Sequence, residues 1–261
     1  MSNLKKGYRK FVREGLDRTG NLSNEIIDTY NTSHLPRIVK KYLEYTGVMG
    51  QPEVANFRVT CEGQIRSSED SAWMNFRSVQ YNFFDQPSRF FYIDARKMGI
   101  SAGGLHAFKN GKASIVIKLA GLFKIADARG PEMDQSETVT LFNDMCLLAP
   151  ATLVSEKIKW EEIDPLTVMA TFTNEGIKIG ARLSFNENGA VVNFTSTDRY
   201  ELSDGKVYRN FPWSTPVSEY ADFGIFRLAK KADLIYSRPE GNFCYGKFII
   251  TNVEYNCREY K

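Results

Sequence analysis

The chain's 261 residues, 43% hydrophobic and 25% charged, suit an ordinary globular protein and exclude a disordered or collagen-like one. No apolar run approaches the roughly 20 residues of a membrane-spanning helix, and the N-terminus lacks a signal-peptide core, so a cytoplasmic protein is expected. The net charge of +3 is confined to one end: residues 1–18 carry +4 and the rest −1, so the body has no basic excess for a nucleic-acid partner.

Leu4, Tyr8, Phe11, Val12 and Leu16 fall at helical spacing and predict a basic amphipathic helix over 4–18. Residues 1–32 thus read as a basic N-terminal arm or helix, and 33–261 as one sheet domain. The helix either docks on that sheet or makes a peripheral membrane contact through residues 1–18, because a cationic amphipathic helix is drawn to anionic lipid. Its few large apolar groups favour docking. A second helix is predicted at 35–46, where Leu35, Ile38, Val39, Tyr42 and Leu43 share a face. Pro36 suits its first turn and Gly47 a left-handed exit.

From residue 54 the period changes to two. Phe57, Val59 and Cys61, then Val79, Tyr81 and Phe83, then Phe91, Ile93 and Ala95 alternate with polar neighbours. The pattern resumes at 168–172, 177–183 and 192–196 and fills the C-terminal region. Asn110-Gly111, Asn188-Gly189 and Asp204-Gly205 are tight-hairpin dipeptides, and Asn174-Glu175-Gly176 is a looser turn, so the strands are antiparallel. No helix separates successive strands, which excludes a doubly wound or α/β-barrel fold. The count reaches about ten strands, and a twisted sheet that wide curls or closes.

One helix interrupts this sheet at about 136–149. Asp134 and Glu137 resemble a capping box, Val139, Phe142, Met145, Cys146 and Ala149 give one apolar face, and Pro150 stops it. A lone helix laid across a curved sheet predicts a container.

Catalytic signals are weak. Gly99-Ile100-Ser101-Ala102-Gly103 matches the serine-hydrolase elbow, but that motif works at a strand-to-helix turn of a parallel sheet, and His106 follows too soon. His34 and His106 are the only histidines, and the four cysteines lack metal spacing, so no metal or cofactor is expected and the cysteines read as free thiols. Asp127, Glu132, Asp134 and Glu137 beside Arg129 could supply an acid/base pair, though helix capping explains two of them. Asp198, Arg199, Tyr200, Phe211, Trp213 and Tyr220, with Trp73 and Trp160 elsewhere, could wall an apolar pocket around a charged head group.

Several of these segments carry a resemblance. Leu35-Pro36-Arg37-Ile38 to Gly47, Gln80-Tyr81, Ala126 to Glu132, Asn143 to Leu153, Trp160 to Asp164, Asp198-Arg199-Tyr200 and Trp213 to Val217 resemble a family of uncharacterised bacterial proteins, catalogued as a domain of unknown function. The resemblance covers nearly everything after about residue 33, and it implies no activity. Some members carry an N-terminal membrane segment, where this chain has the basic stretch 1–18. The strand-rich order with an inserted helix is also similar to the open-barrel lipoprotein carriers of the LolA type.

The expectation is therefore an α+β fold: a large, strongly curved antiparallel sheet, a half-barrel or open barrel, with a few helices packed on it. Its concave face would bind an apolar, lipid-like or amphiphilic small molecule without catalysis, through Trp73, Tyr81, Arg129, Glu132, Trp160, Arg199, Tyr200, Trp213 and Tyr220. The alternatives are an enzyme using the Asp127 and Glu132 carboxylates with an arginine, or a structural module that pairs with a partner.

Overall fold

A computed structural model of the chain describes residues 3–20, 25–97, 100–203 and 207–261. Six strands form the first meander, each hydrogen-bonded to the next: β1 (Asn56–Ile65), β2 (Met74–Phe83), β3 (Ser88–Lys97), β4 (Ile100–Lys109), β5 (Lys112–Leu119) and β6 (Phe123–Ala128). Asn110 and Gly111 take φ values of 52° and 67°, the left-handed pair that a two-residue primed turn requires. A helix, α3 (Pro131–Leu148), and a 3-10 turn (Pro150–Val154) then carry the chain to the opposite edge. There β7 (Ile158–Asp164), β8 (Thr167–Asn174), β9 (Ile177–Phe185) and β10 (Val191–Ser196) build inward as a second meander.

The two long strands β15 (Phe226–Arg238) and β16 (Gly241–Tyr255) join the halves. β16 pairs with β1, and β15 reaches β10 through the two-residue β13 (Trp213–Ser214). β14 (Val217–Phe223) pairs with β15 off this path, and β11 (Tyr200–Ser203) and β12 (Val207–Asn210) make a separate ribbon. The predicted Asp204-Gly205 turn lies outside the described residues. Every pairing is antiparallel, and the path ends at β6 and β7 without closing. The architecture is a strongly curved, open antiparallel sheet, with more strands than the roughly ten expected from the sequence.

The helix α1 (Asn3–Thr19) lies on the convex face of β2, β3 and β4. Leu4, Tyr8, Val12 and Leu16 pack against Tyr81, Phe83, Phe90 and Leu105. Each such side chain contributes about 1.5–3 kcal/mol on burial, so this stripe is packed on the sheet, the docking alternative of the two expected for this helix. Gly15 permits the close approach: a Cβ there would stand 2.4 Å from the Phe83 ring. The helix α2 (Arg37–Tyr45) begins after Pro36, its first amide held by Glu162 Oε1 at 3.1 Å, and ends at Gly47 with φ 76°.

The α3 helix corrects the expectation of an amphipathic helix. Its apolar residues are buried in the main core, but Asp134, Glu137, Thr138, Asn143 and Asp144 are buried as well. Enclosure on all sides removes the solvated face an amphipathic helix would show. Asp134 and Glu137 are not caps either, because the helix starts earlier, at Pro131 after Gly130 (φ 119°). Asp134 instead accepts from the Ala113 amide at 2.7 Å and from Lys112 Nζ at 2.9 Å. At the far end the Tyr42 and Tyr255 hydroxyls donate to the carbonyls of Cys146 and Leu148, satisfying groups that a helix terminus leaves open.

Candidate functional site

Strand alternation divides β2 into two rows. Val79, Tyr81 and Phe83 point under α1, whereas Ser78, Gln80 and Asn82 point into the concavity. Buried amides need partners, and α3 supplies one: Asp144 Oδ2 accepts from Gln80 Nε2 at 2.8 Å, from Asn82 Nδ2 at 3.0 Å and from Arg89 Nε at 2.8 Å. Arg89, near the start of β3, also reaches Glu137 Oε2 at 3.1 Å and Gln80 Oε1 at 2.9 Å. His106 Nδ1 stands 3.7 Å from the other Glu137 oxygen. Burial raises the Glu137 carboxyl, but Arg89, with His106 and Arg199, more than offsets this and holds it at about 2. Burial pushes the Asp144 carboxyl up, against the pull of Arg89 and the two amides.

This network forms the floor of a cavity of about 280 Å³. Val59, Ile65, Ile93, Ile117, Leu234 and Phe248 are among its apolar walls. Strand register orders the lining. Gln80 and Arg89 lie toward one end of the first meander, with α3 across them. Ile65 closes β1 at the other end, and Ile93 and Ile117 lie two and three positions beyond Phe91 and Ser114 in that direction. The cavity is therefore polar at its α3 floor and apolar toward the end where β1 and β5 finish. Arg66 sits at that rim, donating to the carbonyls of Cys244 and Glu69 at 2.8 and 2.9 Å.

Arg199 enters from the second meander. The chain on both sides of it is clamped: Asp198 Oδ2 accepts from the Gly180 amide at 2.6 Å, Gln135 Nε2 donates to the Asp198 carbonyl at 3.0 Å, and the Tyr200 amide donates to Ser136 Oγ at 2.9 Å. So held, Arg199 donates to Thr140 Oγ1 at 3.3 Å and to the Tyr236 hydroxyl, and its guanidinium carbon lies 4.6 Å from the Trp213 ring centre. The Tyr236 hydroxyl in turn donates a hydrogen bond to the Tyr200 carbonyl at 2.9 Å. Among the described residues, no carboxylate oxygen lies within 4.0 Å of the Arg199 guanidinium, in contrast to Arg89 with two such partners.

Of the predicted ligand-binding residues, Arg199 and Trp213 line this cavity. Tyr81 does not, because it faces α1 on the convex side. Trp73 stacks on Arg66 outside the lining, at 4.7 Å. Trp160 packs on Phe142, Tyr220 donates to the Val191 carbonyl at 2.9 Å and packs on Tyr45, and Tyr200 contributes its backbone. Arg129 is an exposed partner of Asp127, and Glu132 also stands outside the lining. Of the acid/base alternative, Asp127 is a surface carboxylate kept below its usual range by Lys124.

The elbow motif is also dissolved. Gly99 lies outside the described residues; Ser101 is mid-hairpin in β4 and donates to Asp94 Oδ1 at 2.7 Å, while His106 faces the opposite side of that strand. Cys61, Cys146, Cys244 and Cys257 are free thiols, and burial pushes Cys61 up to about 12. Among the described residues no three His, Cys, Asp or Glu side chains could hold a metal ion. No described helix is long and apolar enough to cross a membrane. Sequence reasoning missed Arg89, Gln80, Asn82 and Asp144. The available signal was the seven-residue spacing of Glu137 and Asp144, which places both on one side of α3.

The chain belongs to a family of unknown function, DUF6544, whose model matches residues 25–248. A search of curated proteins found no match. Among solved structures, the chain is similar to a putative outer membrane lipoprotein-sorting protein domain from Vibrio parahaemolyticus, at 10% identity and a TM-score of 0.46, over 84% of this chain and 90% of that one. A LolA superfamily protein from Nitrosomonas europaea is similar at 10% identity and a TM-score of 0.44, over 84% and 91%. A DUF1329 family protein from Desulfovibrio piger is similar at 11% identity and a TM-score of 0.44, over 98% and 94%.

Proposed function

We propose that the protein binds a small anionic amphiphile, without transforming it. The polar head would sit against Arg199 on the α3 floor, and the chain would run along Ile93, Ile117, Leu234 and Phe248 toward the open end. One observation carries this reading: an arginine walls an apolar cavity with no carboxylate within 4.0 Å among the described residues. Withdrawing a guanidinium from water costs several kcal/mol. Thr140, Tyr236 and the Trp213 ring offset part of that cost, and Glu137 already serves Arg89 and His106 with its two oxygens. An anionic guest would supply the missing partner.

Tail and head have different tasks by magnitude. Each methylene withdrawn from water contributes about 0.8 kcal/mol, so the tail supplies most of the affinity. The head adds a charge-assisted hydrogen bond and fixes orientation. The test is titration with a naturally fluorescent fatty acid. Saturable binding of one molecule per chain is expected. Leu234→Trp, which fills the cavity, should weaken it about tenfold or more while far-UV dichroism stays unchanged. Absence of saturable binding to the wild-type protein sinks the reading.

A further inference from the structure

The hairpin joining β5 to β6 ends in an apolar tip whose large side chains are exposed among the described residues. Leu122, Phe123 and Ile125 are 76%, 67% and 59% exposed, and among the described residues β6 is the last strand of the sheet, paired with β5 alone. A soluble surface scatters large apolar side chains singly, whereas a cluster of them marks a contact site. Leu119 and Phe123 are register partners, on the same side of the hairpin as Ile117, which lines the cavity. The tip therefore continues the apolar wall outward from the open end.

The charges nearest this tip are mainly basic. Lys118 and Lys124 flank it, with Asp127 the acid paired to Lys124. The basic half of α1 lies at the same end: Lys5 stands over the Tyr92 ring, and Tyr92, Leu105 and Val116 are register neighbours. Val116 is three residues from Leu119, about 10 Å along a strand. Lys5, Lys6, Arg9 and Lys10 precede the first acid of that helix, Glu14. The apolar face of α1 is spent on the sheet, so this helix adds charge and the hairpin adds the greasy surface.

We infer that the β5–β6 hairpin tip docks on an anionic bilayer, with Leu122, Phe123 and Ile125 entering the interface and the neighbouring lysines facing its head groups. Apolar burial and attraction to anionic lipid are the two contributions that hold a peripheral protein at a membrane. The inference stands on the tip's exposure and charge, and it holds whether or not the cavity carries a guest.

The test uses the full chain and sedimentation with two kinds of vesicle, phosphatidylcholine alone and phosphatidylcholine with phosphatidylglycerol. Binding is expected to the second kind, weakening as salt is raised. The double change Leu122→Ser and Phe123→Ser should lower it about tenfold or more with an unchanged melting temperature, since both side chains are exposed. In a second measurement, Phe123→Trp should show a blue-shifted emission increment with those vesicles, quenched by brominated acyl chains. No binding to either vesicle overturns the inference. So does binding that the double variant retains, or a self-association through the β6 edge that the double variant abolishes while vesicles have no effect.

Discussion

Over residues 78–83 both faces of β2 are enclosed, yet they are built from opposite chemistry. Under α1, Val79, Tyr81 and Phe83 meet Leu4, Tyr8, Val12 and Leu16 in an aromatic layer whose rim is held by Arg18 with Asp85 and Lys109 with Glu14. On the other face, Gln80 and Asn82 meet Asp144 of α3, and Gln80 meets Arg89. Stability alone would favour apolar residues on both faces, since replacing a buried ion pair by well-packed hydrophobes is often neutral or stabilising. A polar row kept inside the concavity therefore points to use, and the layer under α1 to support.

That contrast is open to attack at several points. The largest effect belongs to Arg89→Met, which leaves Glu137 and Asp144 buried without their cation. With His106 and Arg199 still near Glu137, most of the cost falls on Asp144; it should be about 3–5 kcal/mol in chemical denaturation, and a loss under about 1 kcal/mol would mean that the network is not a buried charge cluster.

The next test is pH. Glu137 is held at about 2, below its ordinary 4.5. Its ionised form therefore contributes stability that is complete above 4.5 and is lost as pH falls toward 2. Asp144 is shifted the other way, so its protonation gives some of this back. The Glu137 contribution alone is about 3 kcal/mol. The advantage of the wild type over Glu137→Gln in denaturation midpoints should narrow by about that much between neutral pH and pH about 2, and a constant difference would contradict the assignment.

Gly15→Ala probes the other face. Its new Cβ meets the Phe83 ring, and such overpacking should cost about 1–3 kcal/mol while fatty-acid affinity stays the same. A parallel loss of affinity would show that the α1 layer does more than support. The smallest effect is expected at the surface: Asp127→Asn should leave both melting temperature and ligand affinity unchanged, because its partners Lys124 and Arg129 are in solvent.

Much of the fold was legible because periodicity reports it directly. The change to period two at residue 54, the Asn110-Gly111 turn and the stretch ending at Pro150 mark strands, hairpin and helix in the places the chain uses them. What periodicity does not report is which side of a two-sided strand faces inward. Tyr81 belongs to the stronger apolar row, so it read as a pocket residue, yet that row is the one α1 covers. The same ambiguity hid α3: polar residues at 134, 137, 143 and 144 look solvated until a sheet wraps them. Arg199 and Trp213 were legible because an arginine among aromatics has few other uses. Arg89 was not, because its partners lie 48 and 55 residues away on another element.

Arg199 offers the sharpest test of the whole reading. A fatty acid labelled at its carboxyl carbon, bound to the protein and titrated by NMR, reports the charge beside its head group. With wild-type protein the bound carboxyl should titrate at least about one unit below its value in solution. Arg199→Met, which replaces an arginine with no carboxylate within 4.0 Å among the described residues by an apolar chain, should abolish that depression, with an unchanged far-UV dichroism showing that the variant is folded. A bound carboxyl that titrates as it does in water, or identically in the two proteins, would contradict the account.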